Sequence, residues 1–170
     1  MAERTVATKT LVIKFGGTSV GSTEAIQQVV EQVQLARDEW AQVVVVLSAM
    51  SGVTDLLLAA ASAAAEGDEE TPRIIASALV ERHNSAIKSL LSSEVERELT
   101  LDRVDAHVKE FLSLCQAVHV LGEASPRALD AISSLGERMA VHLVAARLRE
   151  LDCVAATVLS SELIRTDAQF

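Results

Sequence analysis

The chain has 170 residues, of which 49% are hydrophobic and only 2% aromatic, so it fits one domain whose core is expected to consist of Val, Leu, Ile and Ala. Lys and Arg number 15 against 24 Asp and Glu, giving a formal net charge of −9; this argues against nucleic acid as a partner, because an acidic domain repels a phosphate backbone. A nucleotide is not excluded, since a loop of N–H groups, a lysine and Mg²⁺ can offset a triphosphate locally.

The first part of the chain predicts a strand, a helix and a second strand. Residues 10–15 form a short apolar run before two glycines, which indicates a buried strand ending in a tight turn. A helix capped by Ser22 or Thr23 should follow and end near Trp40, because apolar residues recur on one helical face. Residues 42–47 contain four consecutive valines and predict a central strand.

The middle of the chain predicts helices. Residues 56–66 should form one helix, and residues 71–120 two more, with a break within residues 92–100. We expect Thr71 to cap the first of these two, with Pro72 in the first helical position.

The last part predicts a helix and a strand. Ser125 and Pro126 should start a helix that is interrupted at residues 133–136, because glycine inside a helix costs about 1 kcal/mol. It should resume over residues 137–150 and lead into a buried strand at residues 153–159. The order of elements indicates an α/β fold with parallel strands and right-handed crossovers. Since the predicted strands are few, we expect the sheet to be incomplete.

No targeting or membrane segment is predicted. Residues 1–10 lack the apolar region of a signal peptide, and polar residues interrupt the most hydrophobic stretch, residues 43–65, before it reaches the roughly 20 apolar residues of a spanning helix. A cytoplasmic location and no membrane partner are therefore expected.

Cys115 and Cys153 are expected to be buried free thiols. The four histidines show no close ligand spacing, so no metal ligands are predicted.

The turn after the first strand has the features of an anion site. Gly16 and Gly17 lack side chains, so their N–H groups can approach an anion closely. Lys14 stands at the carboxyl end of the strand, where ligands bind in open α/β sheets. The Walker pattern fails because Ser22 stands where that pattern needs lysine, and GxGxxG is absent. A tight turn beside a surface lysine is the alternative interpretation.

Three segments resemble aspartate kinases, in the family's order. Residues 14–20, Lys-Phe-Gly-Gly-Thr-Ser-Val, are similar to its N-terminal signature. Residues 44–55, which include Ser-Ala-Met-Ser-Gly-Val-Thr-Asp, are similar to its loop after the second strand. Residues 134–138, Ser-Leu-Gly-Glu-Arg, resemble its Ser-x-Gly-Glu element. The resemblance implies a three-layer αβα fold with a mainly parallel sheet, of the amino-acid kinase or carbamate kinase-like type.

The resemblance also implies a reaction. The family transfers the γ-phosphoryl group of ATP to the side-chain carboxylate of L-aspartate, giving 4-phospho-L-aspartate in the first step of lysine, threonine and methionine biosynthesis. ATP and Mg²⁺ are the implied cofactors, and Lys14 is the implied catalytic cation. No general base is needed, because a carboxylate is already the nucleophile. The other implied site residues are Gly16, Gly17 and Ser19 for the phosphates, and Ser48, Thr54, Ser134 and Glu137 for aspartate.

The substrate-side residues have structural alternatives. Ser48, Thr54 and Ser134 could be plain helix caps. Glu137 could be a solvated acid in a first helical turn, where the helix dipole favours it.

The family's later motifs, including a Gly-Arg-Gly-Gly-Ser-Asp element, do not occur in the sequence. We therefore expect residues 1–170 to be the N-terminal portion of the catalytic domain, with a helical insertion at about residues 71–121 and without the C-terminal nucleotide-binding half or regulatory domains. Residues 166–170 resemble the point where the family's chain continues. Such a portion should be inactive alone, and its uncovered sheet predicts a homo-oligomer or low solubility. The alternatives are a short non-catalytic protein that binds a phosphate ligand or dimerises, and another kinase such as acetylglutamate kinase.

Overall fold

Two parallel strands joined by a helix open the fold. The structure, a computed structural model, describes residues 7–164. β1 (Ala7–Phe15) pairs with β2 (Trp40–Leu47) in parallel, and α1 (Thr23–Glu39) connects them. The Ser22 hydroxyl accepts a hydrogen bond of 3.2 Å from the Ala25 N–H and so caps α1. The predicted strand, helix and strand are present, with Ser22 as the cap. Within the described residues β1 is not buried on both faces and β2 is not a central strand, because each pairs only with the other.

The two faces of this sheet have different surroundings. Side chains alternate between faces along a strand, and one set, which includes Phe15 and Leu47, packs against the hydrophobic core. On the other face Val12, Val44 and Val46 are 63%, 48% and 44% exposed. Within the described residues, helices therefore cover one side of the sheet. This arrangement agrees with the predicted incomplete three-layer α/β fold.

Helices form the rest of the described chain. α2, α3, α4 and α5 pack against one another and share one core with α1 and the inner face of the sheet. No helix among residues 7–164 is long and apolar enough to cross a membrane. The helices after β2 are α2 (Val53–Ala65), α3 (Glu70–Leu90), α4 (Glu94–Leu121), α5 (Pro126–Glu150) and the short α6 (Ser160–Leu163).

The predicted cap of α3 is wrong. The helix begins at Glu70, and the Asp68 carboxylate accepts hydrogen bonds of 2.8 Å and 3.0 Å from the N–H groups of Glu70 and Thr71. Thr71 thus lies inside the first turn. Pro72 also fits there, because the N–H that it lacks would have no partner within the helix.

The link between α3 and α4 is shorter than predicted and is tied to the end of α5. Ser93 caps α4 by accepting from the Glu96 N–H at 3.3 Å. The buried Glu150 carboxylate accepts a hydrogen bond of 2.8 Å from the Ser92 N–H. Arg149 donates to both carboxylate oxygens of Glu96 at 2.9 and 2.7 Å. Residues far apart in sequence therefore fix the corner between the helices.

The interruption predicted at residues 133–136 is wrong, because α5 runs unbroken from Pro126 to Glu150. Gly136 is fully inside the helix and buried. Its lack of a side chain serves close packing: an added Cβ would lie 2.7 Å from the Ala49 Cβ and 3.2 Å from Val53 Cγ1. The packing gained by this approach offsets the helix-propensity cost of about 1 kcal/mol.

The strand predicted at residues 153–159 is also wrong. The segment has the alternating burial of a strand, with Cys153 and Ala155 against the core and Val154 89% exposed. Within residues 7–164, however, only β1 and β2 pair. A strand needs a neighbour for its N–H and C=O groups, and the apolar pattern alone does not supply one. Residues 166–170 lie outside the described residues.

Candidate functional site

The carboxyl ends of the strands bring two loops together. The Ser48 N–H donates to the Phe15 carbonyl at 3.1 Å, which extends the parallel pairing by one residue. After β1 the chain forms a 3-10 turn at Gly17–Val20, with the Ser19 N–H donating to the Gly16 carbonyl at 3.0 Å. The loop before α1 and the loop before α2 thus lie side by side at the edge where α/β sheets bind ligands.

Glycines allow these two loops to touch. A Cβ added at Gly17 would lie 3.4 Å from the Ala49 carbonyl oxygen, and one added at Gly21 would lie 3.1 Å from the Ser51 Cβ. A Cβ at Gly16 would meet nothing within 4 Å. Gly17 and Gly21 therefore serve loop packing, whereas Gly16 borders open space that an anion could enter.

The middle of α5 reaches the same place through Gly136. Because Gly136 lies against Ala49 and Val53, this part of α5 lies beside the loop that follows β2. Glu137 flanks the contact and is part-buried, whereas Ser134, two positions before Gly136, is exposed and lies on a different side of the helix. The three segments singled out in the sequence are therefore contiguous in space. The fold joins residues more than 100 positions apart, from the turn after β1 to α5.

The helix-cap alternatives are not supported by the structure. α2 is preceded by Gly52, with φ of 75°, and no side chain caps it, so neither Ser48 nor Thr54 has that role. Ser134 is inside α5 and its hydroxyl donates to the Ala131 carbonyl at 2.9 Å. Glu137 lies well beyond the first turn of a helix that begins at Pro126.

Lys14 reaches the edge from the other face of the sheet. It is exposed and pairs with Val46 in the strand register. Its side chain is therefore on the same sheet face as the exposed valines. Glu137 is on α5, which belongs to the helical core on the inner face. Within residues 7–164, neither Lys14 nor Glu137 forms an ion pair. Both charges are therefore available to a ligand.

Arg82 is a residue that sequence analysis missed. Its guanidinium, on α3, donates to the Ser51 carbonyl at 2.8 Å and lies next to Gly52. This contact holds the turn that presents Thr54 and ties α3 to the site. Nothing in the sequence distinguishes Arg82 from other surface arginines, because its partner is a backbone carbonyl 31 residues away.

The arrangement suits anionic and ammonium groups. Free N–H groups at Gly16 and Gly17 beside Lys14 can bind phosphate oxygens, and the Glu137 carboxylate can pair with an ammonium group. Within the described part of the chain, no group of three or more His, Cys, Asp or Glu side chains could hold a metal ion.

This architecture, a parallel βαβ unit with a glycine turn and a lysine at the carboxyl edge of the strands, defines an α/β protein with a candidate phosphate site. The model of the amino acid kinase family matches residues 9–169. The chain therefore belongs to the amino acid kinase family.

The relatives are aspartokinases. The chain is 33% identical to an aspartokinase of Candida albicans over 148 residues, which cover 82% of this chain and 26% of that protein. It is 33% identical to an aspartokinase of Pseudomonas aeruginosa over 132 residues, covering 66% of this chain and 32% of the relative. The structure matches E. coli aspartokinase III in complex with aspartate and ADP with a TM-score of 0.67 and 30% identity, covering 85% of this chain and 30% of that one.

The predicted resemblance to aspartate kinases is thus confirmed. The chain spans about a third or less of the length of these relatives. Their activities are those of longer proteins.

Proposed function

We propose that the complete protein transfers the γ-phosphoryl group of ATP to the side-chain carboxylate of L-aspartate and that this chain supplies part of the active site. The observation that carries the proposal is the meeting of the two strand-end loops with α5 at Gly136. The similarity to aspartokinases, one of them solved with aspartate and ADP, supports the choice of reactants.

The turn after β1 is the proposed phosphate side. Gly16 and Gly17 offer N–H groups, the Ser19 hydroxyl lies on the same turn, and Lys14 supplies a positive charge that no described carboxylate neutralises. Phosphoryl transfer depends mainly on positioning and on electrostatic stabilisation, so these groups match its needs. ATP supplies the phosphoryl group itself.

The loop after β2 and α5 form the proposed aspartate side. Ser48 and Thr54 offer hydroxyls, and Ser134 stands one helical turn before Arg138 on the same helix. Glu137 would pair with the α-ammonium group of aspartate. Because the substrate carboxylate is itself the nucleophile, these residues orient it and remove no proton.

The described residues offer groups that could bind the phosphates of ATP, but no set of side chains that could bind Mg²⁺. The open space at Gly16 admits a phosphate, whereas residues 7–164 contain no cluster of three or more metal-ligating side chains. We therefore assign no residue of this part of the chain to Mg²⁺. In our proposal the chain is the N-terminal portion of a catalytic domain, α3 and α4 are a helical insertion, and other parts of the complete protein complete the nucleotide site.

Formation of aspartyl hydroxamate from ATP, aspartate and hydroxylamine tests the proposal. The product of the complete reading frame should form hydroxamate, and the 170-residue chain should stay at background. Omission of aspartate, or its replacement by acetylglutamate, is the control. A complete protein without turnover would refute the assignment, and full turnover by the 170-residue chain would show that the rest of the protein is dispensable.

A second candidate function is association without catalysis, which the uncovered valines favour. Val12, Val44 and Val46 present apolar surface on one sheet face, and exposed apolar patches often mark interfaces. We propose that the protein is a homo-oligomer, that its other partners are small molecules in the cytoplasm, and that the chain alone dimerises or precipitates. Sedimentation showing a soluble monomer at high concentration would contradict the last point. A complete protein that dimerises but forms no hydroxamate would favour this second candidate.

A further inference from the structure

Two histidines that are far apart in the sequence meet between α4 and α5. His107 Nε2 lies 3.3 Å from His142 Nε2, although the residues are 35 positions apart. The ring centroids are 5.4 Å apart and the ring planes differ by 14°. The same nitrogen of each ring therefore faces the other, and the rings are almost parallel.

This separation also occurs between two histidine nitrogens that bind one metal ion. Zn²⁺ binds histidine nitrogen at about 2.0–2.1 Å with tetrahedral geometry, which places two ligand nitrogens about 3.3–3.4 Å apart. Without a metal, the two nitrogens can share one proton, with one Nε2–H donating to the other. At 3.3 Å this contact is at the long end for such a hydrogen bond.

A carboxylate orients one of the two rings. Glu110 Oε2 lies 3.4 Å from His107 Nδ1, and Glu110 Oε1 accepts from Arg138 at 2.9 Å. When Nδ1 carries the proton and donates to Glu110, His107 Nε2 presents a lone pair toward His142. A histidine that binds a metal usually donates its other ring N–H to a carboxylate in this way. The pair thus has the outer support typical of metal ligands.

Burial favours the neutral form of both rings, which is the form that metals bind. Burial, followed by the positive charges of neighbouring groups, lowers the pKa of His142 to about 4. Burial also holds the pKa of His107 below its ordinary value. The charged neighbours are Glu110 and Arg103 from α4, and Arg138 and Arg149 from α5; these arginines weaken the affinity for a cation.

We propose that His107 and His142 bind a divalent transition-metal ion, such as Zn²⁺, Co²⁺ or Ni²⁺, through their Nε2 atoms. Imidazole suits these ions. Two protein ligands leave about two tetrahedral positions for water or for a small ligand. His107 is part-exposed, with 12% of its side chain accessible, which gives the ion a route of entry. The site would fix α4 to α5.

Metal titration of the 170-residue chain tests this proposal without any assay of activity. Co²⁺ should give a visible ligand-field absorption at a stoichiometry of one ion per chain, Zn²⁺ should displace it, and EDTA should abolish it. His107→Gln and His142→Gln should each lower the affinity by about tenfold or more, and Glu110→Gln should lower it by about tenfold through the orientation of His107.

The matched control is His119→Gln, which removes a different histidine–glutamate contact, to Glu69, and should leave binding unchanged. Circular dichroism checks that each variant folds. If His142→Gln unfolds, the part-exposed His107→Gln still decides the question. Absence of binding to the native chain, equal binding by the native chain and both pair variants, or equal loss in His119→Gln would overturn the proposal.

Discussion

Gly136 of α5 lies against Ala49 so closely that an added Cβ would be 2.7 Å from the Ala49 Cβ. Real Cβ atoms essentially never come so near, and both atoms would be attached directly to backbone. This contact places α5 beside the loop after β2, and it therefore determines where Ser134 and Glu137 lie relative to Ser48.

Gly136→Ala should destabilise the chain. Alanine gains about 1 kcal/mol of helix propensity. A Cβ–Cβ distance of 2.7 Å puts the cost of overpacking in the upper part of its usual range, about 2–3 kcal/mol, so we expect a net loss of about 1–2 kcal/mol in urea unfolding. Gly16→Ala is the matched control, because its new Cβ meets nothing within 4 Å. The double variant Gly136→Ala with Ala49→Gly should recover part of the loss. Native stability in the single variant would contradict the steric argument.

Lys14→Ala should lower kcat of the complete protein by several orders of magnitude, because the lysine is the proposed cation for the transferring phosphoryl group. Its stability should change little, since Lys14 is exposed and unpaired among residues 7–164. Lys9→Ala, on the same strand and also exposed, is the control for a general charge effect. Hydroxamate kinetics measure both variants. Near-native turnover without Lys14 would remove it from the mechanism.

Acid should weaken the fold through the buried histidines. Burial lowers the pKa of His142 from 6.5 to about 4, so between these values the unfolded chain binds more protons than the folded chain. Stability is then constant above about pH 6.5 and falls as the pH drops toward about 4, by about 1–2 kcal/mol at about pH 5.

Urea unfolding of His142→Gln across this pH range checks the assignment. The variant should show a smaller dependence on pH than the native chain. An unchanged slope in His142→Gln would mean that other groups cause the acid sensitivity.

The Glu96–Arg149 pair should contribute about 1 kcal/mol of coupling in a double-mutant cycle, because two of the three guanidinium nitrogens of Arg149 donate to the carboxylate but the arginine side chain is 36% exposed. The variants are Glu96→Gln, Arg149→Met and their combination. The hydrogen bond from Arg149 also holds the pKa of Glu96 below its ordinary value, so the contribution is present above about pH 4.5 and is lost at lower pH. Zero coupling at neutral pH would refute this role.

Arg82→Met should loosen the loop after β2. Without the hydrogen bond to the Ser51 carbonyl, amides around Gly52 should exchange with solvent faster, and in the complete protein KM for aspartate should rise more than kcat falls. Arg73→Met, on the same helix, removes only a surface contact with Glu69 and is the control. Equal exchange rates in both variants would show that Arg82 does not hold the loop.

The sequence predicted the elements whose signals are local. The hydroxyl of Ser22, the Ser125–Pro126 pair and the valine run of β2 each act within a few residues, and each was interpreted correctly. Asp68 competed with Thr71 for the same helix start, and the carboxylate that precedes the helix provides the cap.

The incorrect predictions concern residues whose structural role depends on contacts that are remote in the sequence. Gly136 was interpreted as a helix breaker because its contact, Ala49, is remote in sequence. Residues 153–159 have a strand pattern, but no described strand pairs with them. The approach of His107 to His142 and the bond from Arg82 to Ser51 arise only from helix packing. The three motifs of the proposed site were found in the sequence. The sheet face that carries Lys14 was not predicted.

α5 buries 11 of its 25 residues. Its central turns are therefore expected to resist local opening. Amides in such a segment exchange only when the whole structure opens, whereas those of exposed loops exchange through small local fluctuations. Glu137 therefore sits on a helix with a large buried face, next to the loop that follows β2. A ligand at this edge would therefore meet a wall whose backbone conformation is fixed before binding.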